Sequence, residues 1–158
     1  MKILLFFLLP LILSGQDFKP YKYIYISTEL DIRSALTGND IHPPAYDGIY
    51  SLGLRNKWYT IQANFENFAV INFKSFGFSG GYVWNYERAF QYVLTGGLNV
   101  IHRKVNWLNK EMYPSAQISG QFEFHLDKFA GFMRGQSRYR GDLSKNIWSV
   151  FLGIKREI

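Results

Sequence analysis

The chain has 158 residues, with 18 Lys and Arg against 12 Asp and Glu, and its formal net charge is +6. This length suits one domain, a hydrophobic content of 47% excludes a disordered chain, and the lack of Cys excludes disulfides, thiolate metal sites and thiol nucleophiles. Aromatic residues at 18%, together with 14 Gly, favour β-structure over helix.

The N-terminus is organised like a secretory signal peptide. Lys2 precedes an apolar run over residues 3–13, and small residues that end at Gly15 follow the run. The run is shorter than the about 20 residues that a membrane-spanning helix needs. We therefore predict a cleaved signal peptide over residues 1–15 and a single exported domain over residues 16–158. For a basic exported protein the nearer partner is an anionic membrane surface, so we expect no nucleic-acid binding.

The rest of the chain alternates between apolar and polar residues with the period of two that is typical of β-strands. In one such segment Ile118 and Phe122 belong to the apolar phase, whereas Gln117 and Glu123 belong to the polar phase. The alternation predicts eight strands, at residues 21–32, 48–55, 58–66, 75–84, 90–103, 115–126, 129–141 and 146–158. The seventh strand fits the pattern only if Arg134, Arg138 and Arg140 face a polar interior.

The strand count and the connections predict a membrane barrel. Three connections are tight, at residues 56–57, 85–88 and 126–128, and four are mostly longer, at residues 33–47, 67–74, 104–114 and 142–145. Short periplasmic turns that alternate with long outer loops, between an even number of strands, are typical of outer-membrane barrels. The predicted fold class is all-β: an eight-stranded antiparallel up-and-down transmembrane β-barrel.

The apolar phase is predicted to face lipid and the polar phase to face the lumen. The polar phase holds mainly Ser, Thr, Gln, Asn and Gly, which suit a narrow packed interior. Aromatic residues near strand ends suit an interfacial girdle; they are Tyr59, Trp84, Phe90, Phe124 and Trp148. Alternation alone is also compatible with a soluble periplasmic lipocalin-like barrel, which stays open as the structural alternative.

Over residues 21–158 the chain resembles the small eight-stranded outer-membrane barrels of the OmpA-transmembrane and OmpX type. The final strand resembles the C-terminal assembly signal of that family in its alternation and in Gly153, and departs from it by ending in Ile158. The resemblance implies a location in the outer membrane of a Gram-negative cell. The partners that we expect there are the barrel assembly machinery, outer-membrane lipid and lipopolysaccharide, and a further envelope protein.

Charged residues on the polar phase predict a lumen network. Its predicted members are Glu29, Asp31, Arg55, Glu66, Arg103 and Glu123, with Arg134 and Arg138 as further candidates. An unpaired charge in a narrow lumen costs several kcal/mol, so these groups must pair. Because eight strands leave an interior that side chains fill, we predict a structural network without a water-filled pore. The alternative is an ion pathway or a gate.

Catalytic and metal-binding motifs are weak. Lipid A deacylase barrels carry a His-x-Ser pair, which none of His42, His102 and His125 matches, so we predict no enzyme and no cofactor. Asp40, His42 and Asp47 could ligate a metal, but the interleaved Pro and Gly indicate a rigid exposed loop, so we predict no metal site.

Basic residues crowd two predicted outer loops. Four of them are candidate contacts for phosphorylated glycolipid of the outer leaflet: Lys104, Lys110, Arg138 and Arg140. Solvated loop charges are the equally simple explanation. The sequence thus predicts a non-catalytic outer-membrane barrel that is structural or presents loops, within an envelope complex or outside one. A narrow channel or small-solute transporter is the alternative function.

Overall fold

A computed structural model of the chain describes residues 22–36, 47–68, 73–104 and 110–158; within β-strands it leaves the side chains of Lys104 and Lys110 undescribed. The predicted signal peptide and the loop residues Asp40 and His42 lie outside these ranges, so the cleavage site stays a prediction.

Eight strands follow one another in the described part of the chain. They are β1 (Tyr23–Asp31), β2 (Asp47–Arg55), β3 (Tyr59–Phe68), β4 (Phe73–Trp84), β5 (Phe90–Lys104), β6 (Lys110–Leu126), β7 (Phe129–Arg140) and β8 (Lys145–Glu157). Each strand is antiparallel to its neighbours, and β8 pairs with β1 to close the sheet. The predicted eight-stranded up-and-down barrel is confirmed.

The pairing registers fix the geometry of the barrel. Following the partners of Ile26 through β2 to β7 leads to Asn146 on β8, whereas the direct partner of Ile26 on β8 is Arg156. The offset of ten residues between these two positions is the shear of the barrel. Eight strands with such a stagger tilt by about 40° from the axis and enclose a space that side chains can fill.

The barrel has two different ends. The loop end carries the connections after β1, β3, β5 and β7, whereas the terminal end carries the start of β1, the end of β8 and the turns after β2, β4 and β6. At the loop end β1 runs into a short helix, α1 (Ile32–Leu36). Asp31 caps this helix, because its carboxylate accepts a hydrogen bond of 3.1 Å from the backbone N–H of Ser34. No helix in the described ranges is both long and apolar enough to cross a membrane.

The polarity of the barrel is inverted relative to a soluble one. Leu98 is 72% exposed on the outer surface, while its neighbour Asn99 is 6% exposed inside. The same alternation holds along β7, where Arg134 and Arg138 point inward and Met133 points outward. A lipocalin-like barrel would have an apolar interior, so the structure excludes that alternative for the described strands.

The predicted pattern of short and long connections is wrong in part. β5 and β6 stay paired as far as Lys104 and Lys110, so much of the predicted loop over residues 104–114 is strand. β3 and β4 likewise extend to Phe68 and Phe73, inside the second predicted loop. The physical reason is that pairing satisfies the backbone N–H and C=O groups of both hairpins, and the aromatic residues Phe68, Phe73 and Tyr113 favour extended structure. Only the connection between β1 and β2 is much longer than the turns at the terminal end.

Candidate functional site

The polar lumen is the candidate site. Near its terminal end, several charged and polar side chains surround Glu123. Glu123 is fully buried on β6, and its carboxylate accepts hydrogen bonds from Arg55, from Lys155 and, at 2.7 Å, from the amide of Gln121. The His125 ring nitrogen Nε2 lies 2.7 Å from the same carboxylate. Two cations and a histidine therefore converge on one carboxylate, in an arrangement that we call the Glu123 cluster.

Three strands position the cluster. Glu123 and His125 lie two residues apart on β6 and therefore share the inward face. Arg55 ends β2 and also donates a hydrogen bond of 3.2 Å to Gln91. Lys155 comes from β8, where its ammonium group lies 4.5 Å from the centre of the Tyr25 ring. The cluster thus ties together strands on opposite sides of the barrel.

Two further ion pairs lie closer to the middle of the barrel. The Arg134 guanidinium lies 2.6 Å from the Glu29 carboxylate and 5.0 Å from the centre of the Phe151 ring. Arg138 pairs with Glu66, whose carboxylate also accepts a hydrogen bond of 2.8 Å from the Ser75 hydroxyl. These contacts join β1, β3, β4 and β7 across the lumen.

Neutral side chains fill the wall between the charged groups. The Tyr25 hydroxyl donates to the Gln62 amide oxygen at 2.7 Å, and the Gln62 nitrogen donates to the Asn64 oxygen at 2.8 Å. The Asn64 nitrogen then donates to the Ser79 hydroxyl at 2.9 Å. Gly53 leaves the space that the Tyr25 ring occupies, since a Cβ there would lie 2.3 Å from a ring carbon.

Two gaps in the lumen, lined by described residues, hold little free space. The gap between Glu66, Asn99 and Arg138 has a volume of about 0 Å³ for water. Near the terminal end, a pocket beside His125 and Lys155 has about 10 Å³. One water molecule needs roughly 10–15 Å³, so neither space can be part of a continuous aqueous path.

A separate cluster closes the loop end. Asp142, in the turn between β7 and β8, accepts a hydrogen bond of 2.9 Å from Arg140 Nε and one of 3.2 Å from Arg103. The Arg140 guanidinium lies 4.3 Å from the centre of the Phe73 ring. Burial raises the pKa of the Asp142 carboxyl group, but the hydrogen bond from Arg140 and the charges of Arg140 and Arg103 outweigh it and hold this pKa below its ordinary value.

The structure brings together most of the residues predicted for the lumen network. Glu29, Asp31, Arg55, Glu66 and Glu123 are all buried inside the barrel. Asp31 is the helix cap described above, and the other four residues form ion pairs.

Two of the predicted site assignments need correction. Arg103 is 36% exposed and pairs with Asp142 at the loop end, because β5 carries it beyond the packed lumen. Arg138 was a candidate both for the lumen network and for glycolipid contact; the pleat of β7 turns it inward onto Glu66, so its place is in the lumen network. The Arg140 guanidinium is held by Asp142.

Sequence reasoning did not assign Lys155, His125 or Asp142 to any cluster. The spacing Glu123-x-His125 is a local signal, because residues two apart on a strand share a face. Lys155 and Asp142 have no such signal, since the pairing of β6, β7 and β8 brings Lys155 to Glu123 and the β7–β8 turn brings Asp142 to Arg140. His102 lies on the outward phase of β5. No group of three or more His, Cys, Asp or Glu side chains in the described ranges could hold a metal ion.

These features define the fold of an eight-stranded transmembrane β-barrel, and solved structures agree. The chain is similar to the outer membrane protein Ail of Yersinia pestis, whose structure was determined in a phospholipid bilayer nanodisc, with a TM-score of 0.57 and 11% identity over 89% of this chain and 100% of that one. It is also similar to a de novo designed transmembrane β-barrel, with a TM-score of 0.54 and 9% identity over 90% of this chain and 100% of that one. Neither a family model nor a curated protein sequence matches the chain. At these identities the likeness concerns the fold.

Proposed function

We propose that the protein is a non-catalytic outer-membrane barrel whose lumen is closed to solutes and whose loop end is presented outside the cell. The observation that carries this proposal is the combination of an outer surface with exposed apolar side chains and a lumen filled by paired charges and amides. The barrel acts as a rigid anchor, because ion pairs and hydrogen bonds cross-link its opposite walls.

The proposed export rests on the predicted signal peptide, and the proposed orientation rests on the two ends of the barrel. The predicted signal peptide would deliver the chain to the periplasm, where the barrel assembly machinery would receive it. The terminal end would then face the periplasm, because the short turns and both ends of the sheet lie there in such barrels. N-terminal sequencing of the mature protein should begin near residue 16, and a retained Met1 would contradict export by this route.

The shape and the exposed residues of the loop end support the proposal that it binds an envelope protein or glycolipid. β5 and β6 extend beyond the last pair of β6 with β7, Ser115 with Arg140, so that their hairpin projects past the rim. On this projection Met112 is 70% exposed. Lys74, Lys104 and Lys110 lie at the same end and are our candidates for contacts with phosphorylated glycolipid of the outer leaflet or with an envelope protein.

Conductance tests the proposal against the channel alternative. The purified mature protein, inserted in planar bilayers, should give no steady current, because the ion pairs leave no aqueous path. The proposal fails if the wild type conducts with an ohmic current that Glu123→Gln or Arg55→Gln abolishes. Glu111→Gln is the matched control, since Glu111 lies on the same strand but is exposed.

Location is tested by cell fractionation and by electrophoresis of unboiled samples. We expect the protein in the outer-membrane fraction, and its mobility should differ before and after boiling. A protein that folds as a soluble monomer without detergent would contradict membrane insertion, because the exposed apolar side chains would then face water.

A further inference from the structure

A groove of about 540 Å³ lies on the outer surface of the barrel, away from the lumen. We call it the lateral groove; Ile26, Thr28, Leu52, Ala63, Phe76 and Arg156 are among the residues that line it. Apart from Arg156, its outward-facing side chains are uncharged. Thr28 and Ala63 form the depression, because they are small residues between larger outward-facing neighbours.

The pairing registers explain the direction of the groove. One side is a row of paired residues that runs from Arg156 through Ile26 and Leu52 to Ala63. The other side is the next outward row; its members are Ile154, Thr28, Tyr50, Phe65 and Phe76. The groove therefore crosses five strands along the hydrogen-bonding direction. At a spacing of about 4.8 Å between strands, its length is about 19 Å.

The shear inclines the groove to the membrane plane. A row of paired residues that is followed from β8 towards β4 rises towards the loop end. The reason is that a full circuit that leaves β8 at Arg156 returns to it at Asn146, which is ten residues closer to the loop end. With a strand tilt of about 40°, four strand spacings rise about 12 Å. This is less than half of a hydrocarbon core of about 30 Å, so the groove runs from the terminal end towards the middle of the bilayer.

Charge distinguishes the lower end of the groove. Among strand side chains that the structure describes, the outward phase carries no carboxylate, and its Lys and Arg residues, Lys74 and Arg156, lie at opposite ends of the barrel. The Arg156 guanidinium lies 5.5 Å from the centre of the Phe129 ring, which keeps it against the barrel surface. A guanidinium at the interface is a strong partner for a phosphate group.

We propose that the lateral groove is a binding site for one phospholipid of the periplasmic leaflet. Its phosphate binds Arg156, and one acyl chain lies along the groove over Thr28 and Ala63. The phosphate of the lipid matches Arg156, the cation at the lower end of the groove, and the acyl chain matches the uncharged surface above it. The inference rests on the membrane orientation that we propose for the barrel. It adds the class of lipid that binds and the part of the outer surface that binds it.

Native mass spectrometry of the mature full-length protein tests the site. The probe is dioleoyl phosphatidylglycerol, titrated into protein that is folded in detergent micelles. We expect one lipid to stay bound after the others are removed. Ala63→Phe, which fills the groove, and Arg156→Gln, which removes the cation, should each weaken this binding by roughly tenfold, as expected for the loss of one charge-assisted contact or of the main apolar one.

Two control variants have matched chemistry elsewhere on the outer surface. Ala116→Phe places the same ring on β6, outside the groove, and Arg88→Gln removes an exposed guanidinium in the turn between β4 and β5, which does not line the groove. Both should bind the lipid as the wild type does. If they weaken binding as much as the groove variants, the lipid is a non-specific one and the proposal is overturned.

The remaining outcomes are also decisive. A dimer that Ala63→Phe dissociates, without a retained lipid, would assign the groove to a second copy of the chain and overturn the proposal. Each variant must show the gel-mobility shift of the folded barrel, and Thr28→Leu replaces Ala63→Phe if that variant fails to fold. A wild type that folds in micelles but retains no lipid disproves the site alone, whereas one that folds without detergent disproves the proposed function.

Discussion

The lumen and the lipid-facing surface are built from the same strands, yet they accommodate charge by opposite means. Inside, buried carboxylates pair with cations of other strands, as Glu123 does with Arg55 and Lys155. Outside, the described strands carry Lys74 and Arg156 near opposite ends and uncharged side chains between them. Inside the barrel a charged side chain is stabilised by a partner of opposite charge. On the outer surface a charged side chain is tolerated because it lies near an end of the barrel.

The largest expected effect comes from breaking the Glu123 cluster. Glu123→Gln should lower the free energy of unfolding by about 3–5 kcal/mol, because it leaves Arg55 and Lys155 buried without their counter-ion. Urea unfolding in phospholipid vesicles, followed by Trp fluorescence, measures this. Glu111→Gln on the same strand should cost less than about 0.5 kcal/mol, because Glu111 is exposed. Equal costs for the two variants would show that lumen pairing contributes nothing.

The second test moves a charge onto the outer surface. Leu98→Arg should cost roughly 2–4 kcal/mol, the penalty for a lipid-facing cation near the middle of the bilayer. Asn99→Ser, at the next position, should cost less, because one small polar residue replaces another in a polar interior. The same unfolding experiment compares them, and a larger cost for Asn99→Ser would reverse the assignment of the two faces.

A third test compares packing on the two faces with one substitution. Gly53→Ala should cost about 1–3 kcal/mol, because the new Cβ would lie 2.3 Å from the Tyr25 ring. Gly120→Ala should be neutral or stabilising by up to about 1 kcal/mol, because no atom lies within 4 Å of its new Cβ and Ala restricts the unfolded chain. Equal effects in unfolding experiments would contradict a packed lumen.

The smallest effect concerns the loop end. The pKa of Asp142 is lowered in the folded protein, so its ion pairs stabilise the barrel above its unfolded pKa of about 3.9, and this stabilisation is lost as the pH falls through the lower folded pKa. Asp142→Asn should therefore lower stability by less than about 1 kcal/mol at neutral pH, where solvent screens the rim. The difference from the wild type should shrink in unfolding measurements as the pH falls below about 3.9 towards the lower folded pKa; a difference that stays constant as the pH falls would argue against ionic pairing.

The alternation along each strand was predictable, because lipid on one face and a polar lumen on the other impose a period of two on the sequence. Even β7 followed this rule once Arg134 was assigned to the interior. The ends of the strands at the loop end were less predictable. A hairpin that projects beyond the wall, such as that of β5 and β6, no longer alternates between lipid and lumen, so its residues resembled a loop.

The partners inside the lumen were not predictable from the sequence alone. The type of residue at each inward position can be recognised locally, but which carboxylate meets which cation depends on shear and closure. Lys155 lies 32 positions from Glu123 and meets it because the registers place β8 two strands from β6, with both side chains facing the lumen. Arg138 illustrates the same limit, since the sequence left both the lumen network and the rim open for it, and the pleat of β7 directs it to Glu66.

Closure of the barrel also sets the order of events in time. Each neighbouring pair from β1–β2 to β7–β8 is joined by one connection, whereas β1 and β8 lie at opposite ends of the described chain. Bringing distant segments together carries the largest entropic cost and slows folding, so this seam should be the last to form. Lys155 lies at the seam, over Tyr25 of β1 and bonded to Glu123 of β6. Of these two contacts, the one between Lys155 and Tyr25 crosses the seam, so it should form late, break early when the ring opens, and contribute to how long the folded barrel persists.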